Sequence, residues 1–389
     1  MAIDEPSAQL YDDLSTSVQV ALATGRPILH HLNADSSWLI QLPRPESAIK
    51  YGARVYYNIL LDPWFTGPQS DVASWFSQQF HATPSAVQSV AELEELARDV
   101  EISASRLRVG AKRKSNAELE RENGEISGSF IDAVAICHEF TDHCHKDTLL
   151  ELRADVPVFA AKPAAELIRS WNHFKTVTTL PDFASDGDTD WRSTSLAPLP
   201  EWVGITRVMS KDDALYYHSA IMITWNNRRS ASKSGHAATD DDEESAEALI
   251  YTPHGVHADA LQSVASATPK IQTLAFLHGQ HNVKISSTFG TALQLNLGSH
   301  NGLAAQRILN ARYWIGTHDE VKKGGGLVAW FLQRKIITVK EALEAERSTN
   351  GADHSELNGA TVDDPDHILE AFKDCNWLEL QNGESRLLV

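Results

Sequence analysis

Cysteine is scarce in this sequence, with three among 389 residues: Cys137, Cys144 and Cys375. Three thiols cannot build a disulfide framework, and so low a count is typical of a reducing compartment. The first residues, MAIDEPSAQLYDDLS, lack the basic start and apolar core of a signal peptide. No run of about eighteen apolar residues, the length that a membrane-spanning helix needs, occurs in the chain. We therefore expect a cytoplasmic protein with no membrane partner.

Positive charge is also in deficit. Lys and Arg number 34 against 52 Asp and Glu, which gives a formal net charge of -18 at pH 7. Such a surface repels phosphate backbones, so we expect no nucleic-acid partner and favour a small neutral or cationic substrate. With 42% hydrophobic residues the chain can still bury a large core. No feature of the sequence indicates an oligomeric state.

Internal repeats and long Gly/Ser linkers are absent as well, so nothing divides the chain. We predict one domain over residues 1–389, with a core from about 27 to 335 and a C-terminal extension, 336–389, that packs on it. The polar stretch 226–246, with charges in blocks, predicts a mobile surface loop.

Apolar runs and turn residues predict the elements that surround the chemistry. Residues 36–43 and 53–64 are expected to form a β-hairpin. Residues 84–100 have apolar positions at helical spacing, and 130–139 predicts a buried strand. Further strands and helices alternate along the rest of the chain.

The stretch ICHEFTDHCHKDTLL, residues 136–150, is the part of the sequence richest in potential metal ligands. His138, Phe140, Asp142 and His143 form the pattern H-x-F-x-D-H directly after the predicted strand. A turn leaving a strand can point alternate side chains into one small volume. Imidazole and carboxylate together are ligands that zinc, manganese and iron accept.

This pattern resembles the H-x-H-x-D-H loop of the metallo-β-lactamase superfamily, with Phe140 in place of the second histidine. Two further features agree with the resemblance: Asp62 ends the strand in ILLDPWFTG, and His318 ends the strand in YWIGTHDE. The similarity covers roughly residues 30–330. It implies an α+β fold, the αββα sandwich, in which two mixed β-sheets pack face to face, helices cover both outer faces and metal binds at one edge.

The chain departs from the family pattern in two places that belong together. Members of the family hold a first metal with two loop histidines and a third from a later loop, but Phe140 cannot ligate and residues 204–217 contain no histidine. The aspartate that bridges two metals in the family is also missing after the strand ALIY, where the chain continues TPHG and brings His254 close.

The resemblance therefore implies one divalent metal ion, with zinc as the first expectation and manganese or iron as alternatives. Its ligands would be Asp142, His143 and His318, with His138 or His254 as a further ligand. Another histidine, His145, could replace a lost ligand, but a histidine that begins a helix is more often a capping residue. No organic cofactor is indicated.

The implied activity is that of a metal-dependent hydrolase of a small molecule. A metal-bound hydroxide would attack an amide, lactam, ester or lactone carbonyl. Asp142 or His254 would move the proton, and Asp62 would orient a ligand histidine. Three alternatives stay open: a phosphodiesterase, a mononuclear iron-dependent oxidoreductase, and a degenerate member that binds a ligand without turnover.

Candidate substrate contacts come from loops near these residues. We expect Trp64, directly after the Asp62 turn, to line an apolar pocket and Phe140 to form an apolar wall beside a single metal. His278 and His281, in LHGQHN, are assigned to the rim of the cleft. The run KKGGG, residues 322–326, lacks the order of a phosphate-binding loop and is interpreted as a flexible turn.

Overall fold

The structure is a computed structural model that describes residues 16–49, 54–71, 73, 75–108, 128–210, 216–227, 244–286, 292–325, 330–351 and 375–389. Most of the loop predicted at 226–246 lies outside the described residues. Among the described helices, none combines the length and the apolar character that crossing a membrane requires.

One large sheet has seven strands, numbered like all elements in chain order. From edge to edge it consists of β18 (Ser385–Leu387), β1 (Ile28–His31), β2 (Trp38–Pro43), β3 (Tyr56–Leu61), β5 (Ala133–Ile136), β6 (Val158–Ala160) and β7 (Val177–Thr179). The first four strands pair antiparallel, and β3, β5, β6 and β7 pair parallel. The β2–β3 pairing confirms the predicted hairpin.

The other large sheet has six strands and is mixed in the same way. Its order is β17 (Trp377–Leu378), β14 (Tyr313–Ile315), β11 (Ile271–His278), β10 (Ala246–Thr252), β9 (Ser219–Trp225) and β8 (Val203–Met209). Strands β8, β9 and β10 pair antiparallel, whereas β10, β11, β14 and β17 pair parallel.

Alternating side chains divide the core into three layers. In β10, Leu249 and Tyr251 face a cluster that both sheets share, while Ala248 and Ile250 face a cluster shared with helices. The helices that cover the two outer faces are α1 (Val90–Arg108), α2 (Lys146–Glu151) and α3 (Lys162–Ser170) on the seven-stranded sheet, and α4 (Gln262–Ala265), α5 (Gly298–Leu309) and α6 (Val339–Gly351) on the other. The predicted αββα sandwich is confirmed.

The described chain also contains a helical stretch at residues 16–24, two small sheets and three short 3-10 helices. Strands β13 (Ala292–Leu297), β12 (His281–Ser286) and β16 (Leu332–Ile336) form one sheet, and β15 (Lys323–Gly325) pairs with β4 (Gln78–Phe80) in the other. The 3-10 helices span Glu46–Ala48, Trp191–Thr194 and Ala258–Leu261. The small sheets were not predicted, because β16 and β15 are largely exposed and show no core-facing alternation.

The first long helix starts later than the sequence predicts. Helix α1 begins at Val90, not at 84. The Oγ of Ser89 accepts a hydrogen bond from the amide of Glu92 (3.2 Å), and Oε2 of Glu92 accepts one from the amide of Gln88 (2.8 Å). This reciprocal capping sets the start of the helix.

The last described residues belong to both sheets, since β18 pairs with β1 and β17 pairs with β14. The single-domain organisation with a C-terminal extension stays a prediction.

Candidate metal centre

Four imidazoles gather at one edge of the sandwich, where parallel strands end. His138 and His143 follow β5, His254 follows β10 and His318 follows β14. The ring centres of His138 and His143 are 4.1 Å apart, and those of His254 and His318 are 4.9 Å apart. All four side chains are buried. Residues that the sequence separates by up to 180 positions (318 against 138) therefore meet in one small volume.

Three of these rings are held in the same way, by an oxygen at Nδ1. The Nδ1 of His143 lies 2.8 Å from Asp62 Oδ2, that of His254 lies 3.0 Å from Asn296 Oδ1, and that of His318 lies 3.0 Å from Asp35 Oδ2. These oxygens accept hydrogen bonds, so Nδ1 carries the donated proton. In its neutral form, each ring then presents the lone pair of Nε2 at its other end.

The three rings also converge. One ring nitrogen each of His143, His254 and His318 lies within 4.8 Å of the others. We call these three residues the imidazole cluster. Among the described residues, no hydrogen-bond partner is found for Nε2 of His143, Nε2 of His254 or either ring nitrogen of His138. An unsatisfied buried polar atom costs about 1–3 kcal/mol. A divalent ion would satisfy these lone pairs, and three neutral imidazoles are a zinc ligand set.

Burial and the neighbouring charged groups together set the pKa values of these rings. Burial lowers the pKa of His138 and of His254 well below the usual value, and the neighbouring imidazoles lower both further. It also lowers the pKa of His318, against the opposing carboxylate of Asp35. For His143 burial acts in the same direction, but the carboxylates of Asp142 and Asp62 outweigh it and the pKa is raised.

Asp62 is fixed from several sides. Its Oδ1 accepts from the Cys137 amide (2.9 Å), and its Oδ2 accepts from the Tyr251 hydroxyl (2.8 Å) and the Cys137 thiol (2.6 Å) as well as from His143. Its φ of 39° lies in the left-handed region, as does the φ of 59° at His318. Non-glycine residues adopt this conformation at a cost of about 1–3 kcal/mol, and such residues concentrate at functional sites.

Asp142 does not stand free beside the cluster. Its Oδ2 lies 2.7 Å from Nζ of Lys322, which also lies 2.8 Å from Asp35 Oδ2. Its Oδ1 is 3.7 Å from Nε2 of His143 and so faces the cluster. Burial raises the pKa of Asp142, but Lys322 and the nearby imidazoles outweigh this and hold it well below the usual value. Burial lowers the pKa of Lys322, yet the two carboxylates raise it overall, so the group stays ionic.

A cavity of about 240 Å³ opens over the cluster. His254, Asp142, His318 and Lys322 contribute to its floor. Its apolar wall consists of Phe76, Phe140, Tyr217, Val283, Ile285, Leu295 and Leu332. A larger cavity of about 450 Å³ lies beside Arg26 and Glu247, but the described residues that line it include no histidine or cysteine. The larger of these two cavities is therefore not the one that contains the potential metal ligands.

The predicted substrate residues separate into two groups. Phe140 lies on the wall of the cavity over the cluster. Trp64 is fully buried, stacks on His81 at 3.7 Å between ring centres, and is not among the described lining residues. His278 is likewise buried and bonded to the Gly279 carbonyl and the Asn301 side chain.

Other histidines occupy positions around the site. His281 lines a third cavity, of about 380 Å³, to which Asp35 and His318 also contribute. His145 caps helix α2, where its side chain accepts from the Thr148 amide. It lies apart from the candidate metal groups found among the described residues.

Sequence reasoning missed Asp35, Lys322 and Asn296. Asp35 lies in the β1–β2 turn, Asn296 lies in the small-sheet strand β13, and Lys322 begins the run interpreted as a flexible turn. None of the three belongs to a local pattern. Only the positive charge of Lys322 beside His318 in the sequence was a signal that could have been used.

Comparisons with known proteins give likenesses of fold. No protein-family model matches the chain, and no curated protein sequence matches it. Solved structures that it resembles include a possible metal-dependent hydrolase from Veillonella parvula, at 10% identity and a TM-score of 0.46 over 93% of this chain and 100% of that one. An isothiocyanate hydrolase from Delia radicum gut bacteria is 12% identical, with a TM-score of 0.44 over 92% and 98%.

The metallo-β-lactamase fold protein YhfI from Bacillus subtilis is 11% identical, with a TM-score of 0.37 over 93% of this chain and 99% of its own. At identities and TM-scores this low, the likenesses say nothing about reaction, metal or ligands. The chemistry of the site is therefore argued from the residues of this chain.

Proposed function

We propose that the protein is a metal-dependent hydrolase of a small molecule that carries an amide, lactam, ester or lactone bond. The observation that carries this proposal is the imidazole cluster, in which each Nδ1 is bound to an oxygen and the three ring nitrogens converge within 4.8 Å. Oxygen partners at Nδ1 are the usual supports of metal-binding histidines. One zinc ion is the first expectation, with manganese or iron as alternatives.

The proposal changes the roles of two residues, His254 and Asp142. The sequence favours Asp142, His143 and His318 as ligands, with His138 or His254 as a further one, and offers Asp142 or His254 for proton transfer. The position of His254 inside the cluster supports it as a ligand instead, since its Nδ1 is held by Asn296 and its Nε2 lacks a partner among the described residues. We assign proton transfer to Asp142.

A divalent ion held by three imidazoles would supply Lewis acidity and lower the pKa of a bound water. Oδ1 of Asp142 faces this position, and Lys322 keeps the carboxyl ionised, so Asp142 can accept a proton from a water at the cluster. The apolar wall with Phe140 would exclude bulk water and bind the apolar part of the substrate.

The cavity supports a small substrate. Its volume of about 240 Å³ is slightly below the range of about 300–1,000 Å³ that is usual for ligand sites. Its lining combines the apolar wall with charged residues that include Asp71, Glu320 and Arg334. The absence of membrane and nucleic-acid partners and the cytoplasmic location stay predictions from the sequence, as do the substrate roles of Trp64, His278 and His281.

Elemental analysis of the purified protein tests the proposal. We expect about one equivalent of zinc in wild type and a loss of metal affinity of at least about 10–100-fold in His254→Ala and His318→Ala. His173→Ala is the matched control, because His173 bonds the Leu152 carbonyl far from the cluster and should leave metal content unchanged.

Wild-type protein that stays metal-free after supplementation with zinc, manganese and iron would contradict the proposal. A metal-loaded protein that hydrolyses no lactone, lactam or aryl ester in a screen would favour the binding-only alternative. Iron in place of zinc, with oxygen consumption, would favour the oxidoreductase.

A further inference from the structure

Two further groups of potential metal donors share a histidine with the imidazole cluster: Cys137, His138 and His143, and Asp35, Asp142 and His318. The second of these is called the carboxylate group. One donor atom each of Asp35, Asp142 and His318 lies within 4.8 Å of the others, and all three residues are buried. Two carboxylates and one imidazole are a ligand set that divalent manganese, iron and zinc accept. Oδ1 of Asp35 also lacks a hydrogen-bond partner among the described residues. By its chemistry, this carboxylate group could hold an ion of its own.

An ammonium already occupies this group. Nζ of Lys322 lies 2.7 Å from Asp142 Oδ2 and 2.8 Å from Asp35 Oδ2. The side chain is only 5% exposed, and Nζ lies 5.4 Å from the centre of the Trp64 ring. The lysine is therefore built into the site rather than folded over it from solvent.

We infer that Lys322 is a built-in cation that closes the carboxylate group to a metal, so that the chain binds one ion at the imidazole cluster. The inference rests on the metal centre of the proposed function. Two buried carboxylates need a compensating positive charge. The ammonium supplies it, and a divalent ion bound at the same oxygens would have to displace it. Lys322 is therefore a positioning residue that limits the number of metal ions bound per chain to one.

Removing the positive charge of Lys322 while keeping the length of its side chain should make the carboxylate group available to a metal ion. Lys322→Met leaves an apolar chain over Trp64 but leaves Asp35 and Asp142 without their cation. We expect its zinc content at saturation to rise from about one to about two equivalents per chain. Lys322→Arg retains the charge and should stay at about one equivalent. Lys323→Met, at the exposed neighbouring position, is the matched control.

Metal content by elemental analysis is the first readout and thermal unfolding is the second. Metal-stripped Lys322→Met should unfold at a lower temperature than metal-stripped wild type, and excess zinc should raise its midpoint more than that of wild type. The double variant Asp35→Asn/Lys322→Met removes one carboxylate and should return to about one equivalent, a result that a purely structural role of the lysine would not produce.

The outcomes separate this inference from the proposed function. Metal-free wild type overturns both. One equivalent in both wild type and Lys322→Met overturns the inference alone, and so does a second tight ion in wild type. If Lys322→Met fails to fold, titration of wild type with zinc in excess decides: one tight ion in wild type and in Lys322→Arg supports the inference, and two in either overturns it.

Discussion

Asp62 and Asp35 each support one histidine of the imidazole cluster. Each is fully buried, and each accepts the Nδ1 hydrogen of a cluster histidine, at 2.8 Å for His143 and 3.0 Å for His318. Their surroundings differ. Around Asp62 the other donors are neutral, from Cys137 and Tyr251, whereas Asp35 shares the ammonium of Lys322 with Asp142.

The difference shows two ways of keeping a carboxylate buried. Asp62 relies on several neutral hydrogen bonds from the strands that position the site, so its support is part of the sandwich itself. Asp35 relies on an ion pair with a residue from the segment just before β15. Removing a member of the first network should therefore damage the fold, and removing a member of the second should mainly change metal binding.

The largest effect is expected at Asp62. Asp62→Ala leaves the Nδ1 of His143 and the Cys137 amide without their acceptor, and it leaves the Tyr251 hydroxyl with the Ser36 carbonyl alone. Breaking such a buried polar network costs about 3–5 kcal/mol of unfolding free energy. Urea unfolding of the metal-free protein measures it.

Asp62→Asn is the control for this variant, because asparagine tolerates the positive φ and keeps the shape while it turns one acceptor into a donor. It should lose less than the alanine variant. A loss below about 1 kcal/mol in Asp62→Ala would contradict the view that the neutral network supports the fold.

Asp35→Asn should give the intermediate effect, and on a different quantity. The asparagine oxygen can still accept from His318, while Lys322 keeps its contact with Asp142. We expect zinc affinity to fall about 10–100-fold, with an unfolding loss of only about 1–3 kcal/mol. A zinc competition titration and urea unfolding, run beside Asp62→Asn, measure both. Equal losses of stability in the two asparagine variants would show that the two supports do not differ.

Local sequence and the family resemblance together placed part of this site. His143, His318 and Asp62 each come just after a buried strand, and parallel strands that end at one sheet edge bring such residues together. The β2–β3 hairpin followed from apolar runs and turn residues. The sandwich and the roles of Asp62 and His318 followed from the resemblance to the metallo-β-lactamase superfamily.

The remaining members could not be predicted, because their partners are remote. Asp35 meets His318 across 283 positions, and Asn296 meets His254 across 42. The contact of Asp35 forms only when the two sheets pack, and that of Asn296 only when the small sheet of β12, β13 and β16 is placed. A flexible turn was the natural interpretation of KKGGG, since nothing beside Lys322 in the sequence reveals the two carboxylates that hold it.

The smallest effect is expected at Tyr251. It measures how much of the stability of the neutral network around Asp62 comes from this one hydroxyl. Burial and the nearby carboxylate of Asp62 raise the pKa of Tyr251 well above the usual value, so its hydroxyl stays a neutral donor. Tyr251→Phe removes the hydroxyl, which lies 2.8 Å from Asp62 Oδ2 and 3.1 Å from the Ser36 carbonyl oxygen, and leaves the Cys137 amide and His143 in place. We expect a loss of about 1 kcal/mol in urea unfolding and a change in zinc affinity within about threefold, below the range for lost supporting residues. A stability loss as large as that of Asp62→Ala would mean that the hydroxyl provides most of the stabilisation of Asp62. Asp62 would then depend on one partner, as Asp35 depends on Lys322.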